Sequence, residues 1–573
     1  MLQDNLIRIF EKSFRDNREM SALTDYFSKD SYSYYEMAKQ IAKLHLLFKK
    51  AGIKQNDKVA LVGRNDTRWC ISYIATITYG AVIVPILQDF NTNDIIHIIN
   101  HSESKFLFAG DSYWESIEED QISGVNVVVS LTKFDVVYER SGKSVSRFQR
   151  DIVKNYRNIY PRGFSVDDIK YPELSNDHVC LLNYTSGTTG YSKGVVLTIN
   201  NLTGNIVTAI EFENPRTHYR YFQRGGRVLS FLPLAHAYGC AFDFLTQLAV
   251  GGHTTLLGKI PSPKILIEAM QEVQPTVICC VPLILEKVYR KQIIPLLEKG
   301  PMSIAVKIPL LNTAIYATIK KKLLESFGGR VSIFIVGGAP MNQETEAFLM
   351  KIGFPITIGY GMTECAPLIS FAPDTDFKAG SCGKIIKPNL DVKIDSESPS
   401  SIPGEILVRG EHVMKGYFKN DKDTLAIFDD DGWLHTGDMG VMEADGTLYI
   451  KGRCKTMILG SNGQNIYPEQ IEDKLNNMYM VAESLIMEDN GKLAALVVPD
   501  YDLARSENVS GDEILKIMES NLRELNSVVS AFERVASITI YPREFEKTPK
   551  RSIKRFLYNT ALLTKLSNKD LDA

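Results

Sequence analysis

The chain has 573 residues, 44% hydrophobic and 23% charged, which excludes disorder and exceeds one ordinary core, so two or more folded domains are expected. Lys and Arg number 65 against 68 Asp and Glu, and a net charge of −3 excludes a general pull toward nucleic acid. Eight cysteines at 70, 180, 240, 279, 280, 365, 382 and 454 form no C-x-x-C pair and read as reduced thiols of a cytoplasmic protein, and the first twenty residues carry no long apolar core of a secretory signal.

SYYEMAKQIAKLHLLFKKAG (residues 33–52) has apolar residues at helical spacing and a glycine stop. DKVALVG (57–63) reads as a buried strand. CISYIATITYGAVIVPIL (70–87) is uncharged, but Gly80 and Pro85 interrupt it and Ser and Thr dilute it. The expectation is a helix followed by a short buried strand at 81–86, not a membrane span; peripheral membrane contact stays open. NTNDIIHIINHS opens a helix on a polar cap, and SKFLFAG (104–110) is the next strand. Further strands are predicted at 227–234, 276–282, 331–338 and 354–361, with helices at 264–273 and 342–352 between them. Continuous apolar strands separated by helices suggest parallel sheets covered on both faces, with ligands beyond the carboxyl ends of the strands. The triplet Lys320, Lys321 and Lys322 reads as a solvated helix face. From about Asp391 the texture turns to strand and turn, with Asp-Gly hairpin signals. After KGRCK (451–455) a small α+β unit is expected.

One stretch stands apart. YTSGTTGYSKG (184–194) directly follows the apolar run VCLL (179–182) and packs three glycines, five Ser/Thr hydroxyls and Lys193 into eleven residues. Glycines let backbone N–H groups curl around an anion, hydroxyls add neutral donors and the lysine adds a point charge, so the stretch suits a polyphosphate. A flexible surface loop is the blander alternative. It is not a Walker loop: Ser192 precedes Lys193 and Gly194 follows it.

The pattern resembles the phosphate loop of the AMP-forming adenylating superfamily of acyl-CoA synthetases, luciferases and peptide-synthetase adenylation domains. Five further stretches resemble that family's motifs in the same order: FLPLAHAYG (231–239), GGAP (337–340), GYGMTE (359–364), HTGD (435–438) and IKGRCKTMILGSNGQNIYPEQIE (450–472). The resemblance covers the chain from about residue 33 to the end. It implies an N-terminal α/β domain of parallel and mixed sheets flanked by helices with a β-rich subdomain (residues 1–453), and a mobile α+β C-terminal domain (454–573).

The family's site residues map as follows. Thr185, Ser186, Gly187, Thr188, Thr189, Gly190 and Lys193 would grip the phosphates. Gly338, Ala339 and Pro340 form the adenine-side turn, and Tyr360, Gly361, Met362 and Thr363 continue the nucleotide wall, with Tyr360 as the ring that stacks on adenine. Glu364, with Thr185, would hold Mg2+ on the phosphates, since a hard cation prefers carboxylate, hydroxyl and phosphate oxygens. Asp438 corresponds to the ribose-binding acid, where charge-assisted bonds are worth about 1.5–3 kcal/mol each. Arg453 would contact the nucleotide. His236 would line the acyl site as a positioning group, because an ionised carboxylate needs no proton removed before it attacks. Lys455 occupies the hinge position, where a domain rotation is absorbed by very few residues.

Within the family the likeness is closest to ligases of long-chain fatty acids, carried by VPLILEKVYRK (281–291) and the run 327–364. It implies activation of a medium- or long-chain fatty acid by ATP and transfer to coenzyme A, with acyl carrier protein as the alternative acceptor. One departure stands out. In EKTPKRSIKRF (546–556) Ser552 occupies the place of the family's C-terminal adenylation lysine, flanked by Lys550 and Lys554. Either lysine could take over the role, the basic cluster could meet coenzyme A, or the chain could be an adenylation-impaired binding protein.

Overall fold

The computed structural model describes residues 2–559 except 141, 143, 186–191, 259–260, 299–303, 310, 461–463, 490 and 549–552, and leaves out the side chains of 291 and 298. Contacts divide the described residues into two compact units. The first draws on Met1–Thr185, Tyr191–Val392 and Val408–Leu434, the second on Lys393–Leu407 and His435–Ala573.

In the first unit an eight-stranded sheet runs in the spatial order Gly416–Tyr417, Lys193–Thr198, Val179–Thr185, Val82–Ile86, Lys58–Val62, Ser104–Ala109, Val127–Ser130 and Val136–Glu139. The five strands from Val179–Thr185 to Val127–Ser130 are parallel, and the outer pairings are antiparallel. Val59, Leu61, Ile83, Val84, Phe106 and Phe108 are fully shielded, as continuous apolar strands covered on both faces must be.

Local chemistry sets the elements. Ser33 and Glu36 close a reciprocal cap on helix Tyr34–Lys50. Helix Thr67–Tyr79 stops at Gly80, and strand Val82–Ile86 follows, so the uncharged stretch is a helix and a buried strand, as expected. Among the described residues no helix is long and apolar enough to cross a membrane. All eight cysteines carry free thiols.

Two smaller sheets complete the site-bearing scaffold. Arg227–Ser230, His253–Leu256 and Ser21–Asp25 run parallel, with Ser31–Ser33 antiparallel at the edge. Val277–Cys280, Ile333–Val336 and Ile356–Ile358 form an all-parallel trio. The strand expected over 354–361 is broken. Its second piece, Tyr360–Gly361, leaves the trio and pairs antiparallel with Leu368–Phe371.

In the second unit Leu434–Met442 pairs antiparallel with Leu448–Arg453, the hairpin expected from Asp445-Gly446. Val481–Asp489 and Lys492–Pro499 are antiparallel, and Val535–Ile540 joins the latter in parallel. Helices Tyr501–Glu507 and Gly511–Val528 make that crossover, and Leu475, Val497, Met518 and Leu525 lie in its core. A mixed α/β body with a separate α+β C-terminal part is thus the architecture of the chain.

Candidate active site

The hydroxyl-rich loop leaves strand Val179–Thr185 and returns as Lys193–Thr198, with Thr185 paired to Lys193 at the last register position. Ser186, Gly187, Thr188, Thr189 and Gly190 lie outside the described residues. Tyr184 turns inward, 2% exposed, with its hydroxyl 2.8 Å from His101 Nδ1. At the mouth of the loop Lys193 Nζ sits 2.8 Å from Asp423 Oδ2 and 4.9 Å from the centre of the Tyr417 ring. Tyr417 in turn donates its hydroxyl to Glu364 Oε1 at 2.8 Å. Lys193 and Glu364, both singled out from sequence, are therefore joined through Tyr417, which sequence reasoning missed, as it missed Asp423 beside Lys193. Burial, reinforced by Glu364, raises the Tyr417 phenol far above its ordinary range, so it stays a donor. Its hydrogen bond from Lys193 holds the Asp423 carboxyl below the usual carboxylate range.

The trio of parallel strands delivers the next two motifs to one edge. GGAP follows Ile333–Val336, and GYG follows Ile356–Ile358, with Val336 paired to Ile358. Gly338, Ala339 and Pro340 are exposed there, while Tyr360 is 9% exposed. Gly361 is required by a close approach: a Cβ there would lie 2.1 Å from the Pro367 carbonyl oxygen. Met362 is half-buried and Thr363 buried, in the turn that carries Glu364. Asn205, fully buried on helix Ile199–Glu211, pins that turn. Its amide donates to the Cys365 carbonyl at 3.2 Å and its oxygen accepts from the Leu368 N–H at 2.8 Å.

Between these motifs lies a cavity of about 80 Å³, lined by Phe212, Phe222, Tyr238, Phe242, Tyr360 and Phe371 together with the glycines of both turns. Its wall is apolar and aromatic, suited to an alkyl or aryl group. Tyr238 is fixed there by a 2.7 Å hydrogen bond from its hydroxyl to the Ile335 carbonyl. His236 stands half-buried ahead of helix Ala237–Gly239, and Tyr238 of that helix, not His236, is among the cavity's lining residues. The motif FLPLAHAYG was the signal that could have found Tyr238.

In the second unit Asp438 and Arg453 face each other across the hairpin register, and Arg453 Nη1 donates to Asp438 Oδ1 at 2.6 Å. Asp438 is 6% exposed, and Gly437 before it holds φ +71°, a turn that favours glycine. Lys455 is exposed in the turn that follows strand Leu448–Arg453. Lys550 and Ser552 lie outside the described residues. Lys554 Nζ is 3.9 Å from Glu546 Oε2. Two other members of the basic cluster are engaged: Lys547 pairs with Glu483 at 2.5 Å, and Arg555 pairs with Glu472.

Among the described residues no group of three or more His, Cys, Asp or Glu side chains comes together as a metal cage. Glu364 offers one hard carboxylate, and Thr185 is half-exposed at the end of its strand. That donor set fits a cation that keeps most of its ligands from phosphate and water.

Residues 10–418 match the family described as AMP-binding enzyme, and residues 455–563 match the AMP-binding enzyme C-terminal domain. The chain is 28% identical to the long-chain-fatty-acid–CoA ligase FadD15 of Mycobacterium bovis, over 91% of this chain and 89% of that one. It is 28% identical to long-chain-fatty-acid–CoA ligase 5 of Mus musculus, over 87% of this chain and 77% of that one. ATP-bound MatB from Rhodopseudomonas palustris superposes with a TM-score of 0.74 at 22% identity, covering 97% of this chain and 98% of the other, which shows a shared fold.

Proposed function

Because the chain belongs to the AMP-binding enzyme family, we propose that it is an acid–thiol ligase: fatty acid, ATP and coenzyme A give acyl-CoA, AMP and pyrophosphate. The observation that supports this reading is the apolar cavity opening between the GGAP and GYG turns, which offers room for an acyl group beside the turns proposed to hold the nucleotide.

In the first step a carboxylate oxygen bonds to the α-phosphorus of ATP and the bond to pyrophosphate breaks. Negative charge gathers on phosphate oxygens, so catalysis is positioning and electrostatic stabilisation. Thr185, Ser186, Gly187, Thr188, Thr189, Gly190 and Lys193 cradle the phosphates. Gly338, Ala339, Pro340, Tyr360, Gly361, Met362 and Thr363 hold the base, Asp438 holds the ribose, and Arg453 contacts the nucleotide. Glu364 and Thr185 would hold Mg2+, which neutralises phosphate charge when bound. His236 positions the acid near the reacting carboxylate. In the second step the coenzyme A thiolate attacks the acyl carbon and AMP leaves. Residues 1–453 act as the adenylating domain and 454–573 as a mobile domain hinged at Lys455. Lys550 or Lys554 stands in for the lysine that Ser552 replaces.

ATP–pyrophosphate exchange, measured with a panel of fatty acids of increasing length, tests the reading. Exchange with medium- or long-chain acids is expected. Absence of exchange with every carboxylic acid would replace the ligase with a nucleotide- or acyl-binding protein. Thioester formation with coenzyme A, and none with acyl carrier protein, is the expected outcome when the acceptor thiols are exchanged.

A further inference from the structure

Tyr417 and Asp423 have no role in the reading above, yet Tyr417 touches both Lys193 and Glu364, and Asp423 pairs with Lys193. Tyr417 belongs to the two-residue strand Gly416–Tyr417, which pairs with Val196 and Val195 just beyond Lys193. Its hydroxyl reaches Glu364 and its ring face lies beneath the Lys193 ammonium. A ring face attracts a cation through its quadrupole, so one side chain orients two oppositely charged groups. Tyr417 is 7% exposed, and its backbone N–H is stapled to Thr424 Oγ1 at 2.9 Å.

That staple fixes helix Asp421–Ile427, on which Asp423 precedes Thr424. Asn420 caps the helix, accepts from the Asp423 N–H at 3.1 Å and donates to Asp423 Oδ2 at 2.9 Å. The same oxygen takes Lys193 Nζ. Asp423 is thus held in place by its own helix cap whether or not the lysine stays. The pair is about a third exposed on each side, 34% for Lys193 and 33% for Asp423. An ion pair this open to water is weak, and a triphosphate of higher charge can displace the carboxylate.

We propose that Tyr417 and Asp423 are positioning residues of the nucleotide site, Tyr417 orienting the Glu364 carboxylate for the cation that accompanies ATP, and Asp423 competing with the phosphates for Lys193. ATP then binds by exchanging one ion pair for another, and pyrophosphate leaves by the reverse exchange. Asp423 weakens nucleotide affinity in return for release of the product. This inference rests on the assignment of Lys193 and Glu364 to the phosphates.

The test is calorimetric titration of ATP, with Mg2+ chelated and with Mg2+ in excess, into the full chain and three variants. Asp423→Asn keeps the helix cap and removes the competing charge; its Kd for ATP is expected to fall threefold or more in both conditions. Tyr417→Phe keeps the ring and deletes the O–H; its chelated Kd is expected to match the parent while the tightening produced by Mg2+ shrinks at least threefold. An Asp423→Asn Kd that stays level or rises overturns the competition, and full Mg2+ tightening in Tyr417→Phe overturns the orientation. Lys193→Ala separates the two levels of the argument. If it binds ATP as the parent does, the phosphate assignment itself fails; if it binds weakly while the other two variants are unchanged, only the present inference fails. Both test variants are near-isosteric, and an unchanged Tm without nucleotide shows that folding is intact.

Discussion

Lys193 is the residue on which the proposed nucleotide capture turns. A charge-assisted hydrogen bond contributes about 1.5–3 kcal/mol, so Lys193→Ala should raise the KM for ATP by roughly ten- to a hundredfold. The fold should be spared, because the partner left behind, Asp423, is a third exposed and water can solvate it. Unchanged turnover at limiting ATP would remove the lysine from the site. Lys193 was legible because glycines, hydroxyls and a lysine crowd into eleven consecutive residues. Tyr417, Asp423 and Asn205 were not, because their partners lie far along the chain. Tyr417 meets Glu364 across 53 positions, and Asn205 meets Leu368 across 163. Only the fold brings such pairs together. The cap at Asn420, three residues before Asp423, could have located the helix, but not the ammonium its acid reaches.

Single elements carry the nucleotide motifs, and His412 shows how they are locked. Its Nδ1 donates to the Leu368 carbonyl at 2.8 Å, next to the turn that bears Glu364. Its ring packs on helix Ile199–Glu211 so closely that a Cβ on Gly204 would lie 2.6 Å from His412 Cδ2. Burial drives its pKa down from 6.5 to about 4, so the folded protein keeps it neutral. The depressed value means that the unfolded chain takes up the proton first. The stability this contributes is present above pH 6.5 and is lost progressively as pH falls toward 4, up to about 3 kcal/mol from one group. Unfolding free energy measured at pH 7.5 and pH 5 should therefore drop less in His412→Asn than in the parent; equal drops would remove His412 as the cause. Helix Ile199–Glu211 itself escaped the sequence reading for a physical reason. Ten of its residues are buried, so no polar stripe marks a helical period. Helix Tyr34–Lys50, with a capping box, a wet face and lysines in its last turn, was plain to read.

At the scale of the whole molecule, the residues proposed for the nucleotide and the hinge fall in both compact units, Lys193, Tyr360 and Glu364 in the first and Asp438, Arg453 and Lys455 in the second. A ligase of this type performs two chemistries in sequence, and the hinge proposed at Lys455 would let one set of motifs serve both. Lys455 suits that role locally. It is exposed, and the turn around it is closed by the Thr456 and Met457 N–H groups, both bonded to the Arg453 carbonyl. Its own side chain can therefore move without breaking packing. Proline at this position holds φ near −65° and also restricts Cys454 before it, so Lys455→Pro should freeze the turn without opening a cavity. Adenylation, read as ATP–pyrophosphate exchange, is expected to stay within about threefold of the parent, while thioester formation falls tenfold or more, a barrier change of about 1.4 kcal/mol. Equal losses in both half-reactions would mean that the substitution damages the site directly, and normal thioester formation would mean that the rotation pivots elsewhere. Only a split between the two rates assigns the pivot to this residue, because a general loss of stability would lower both together.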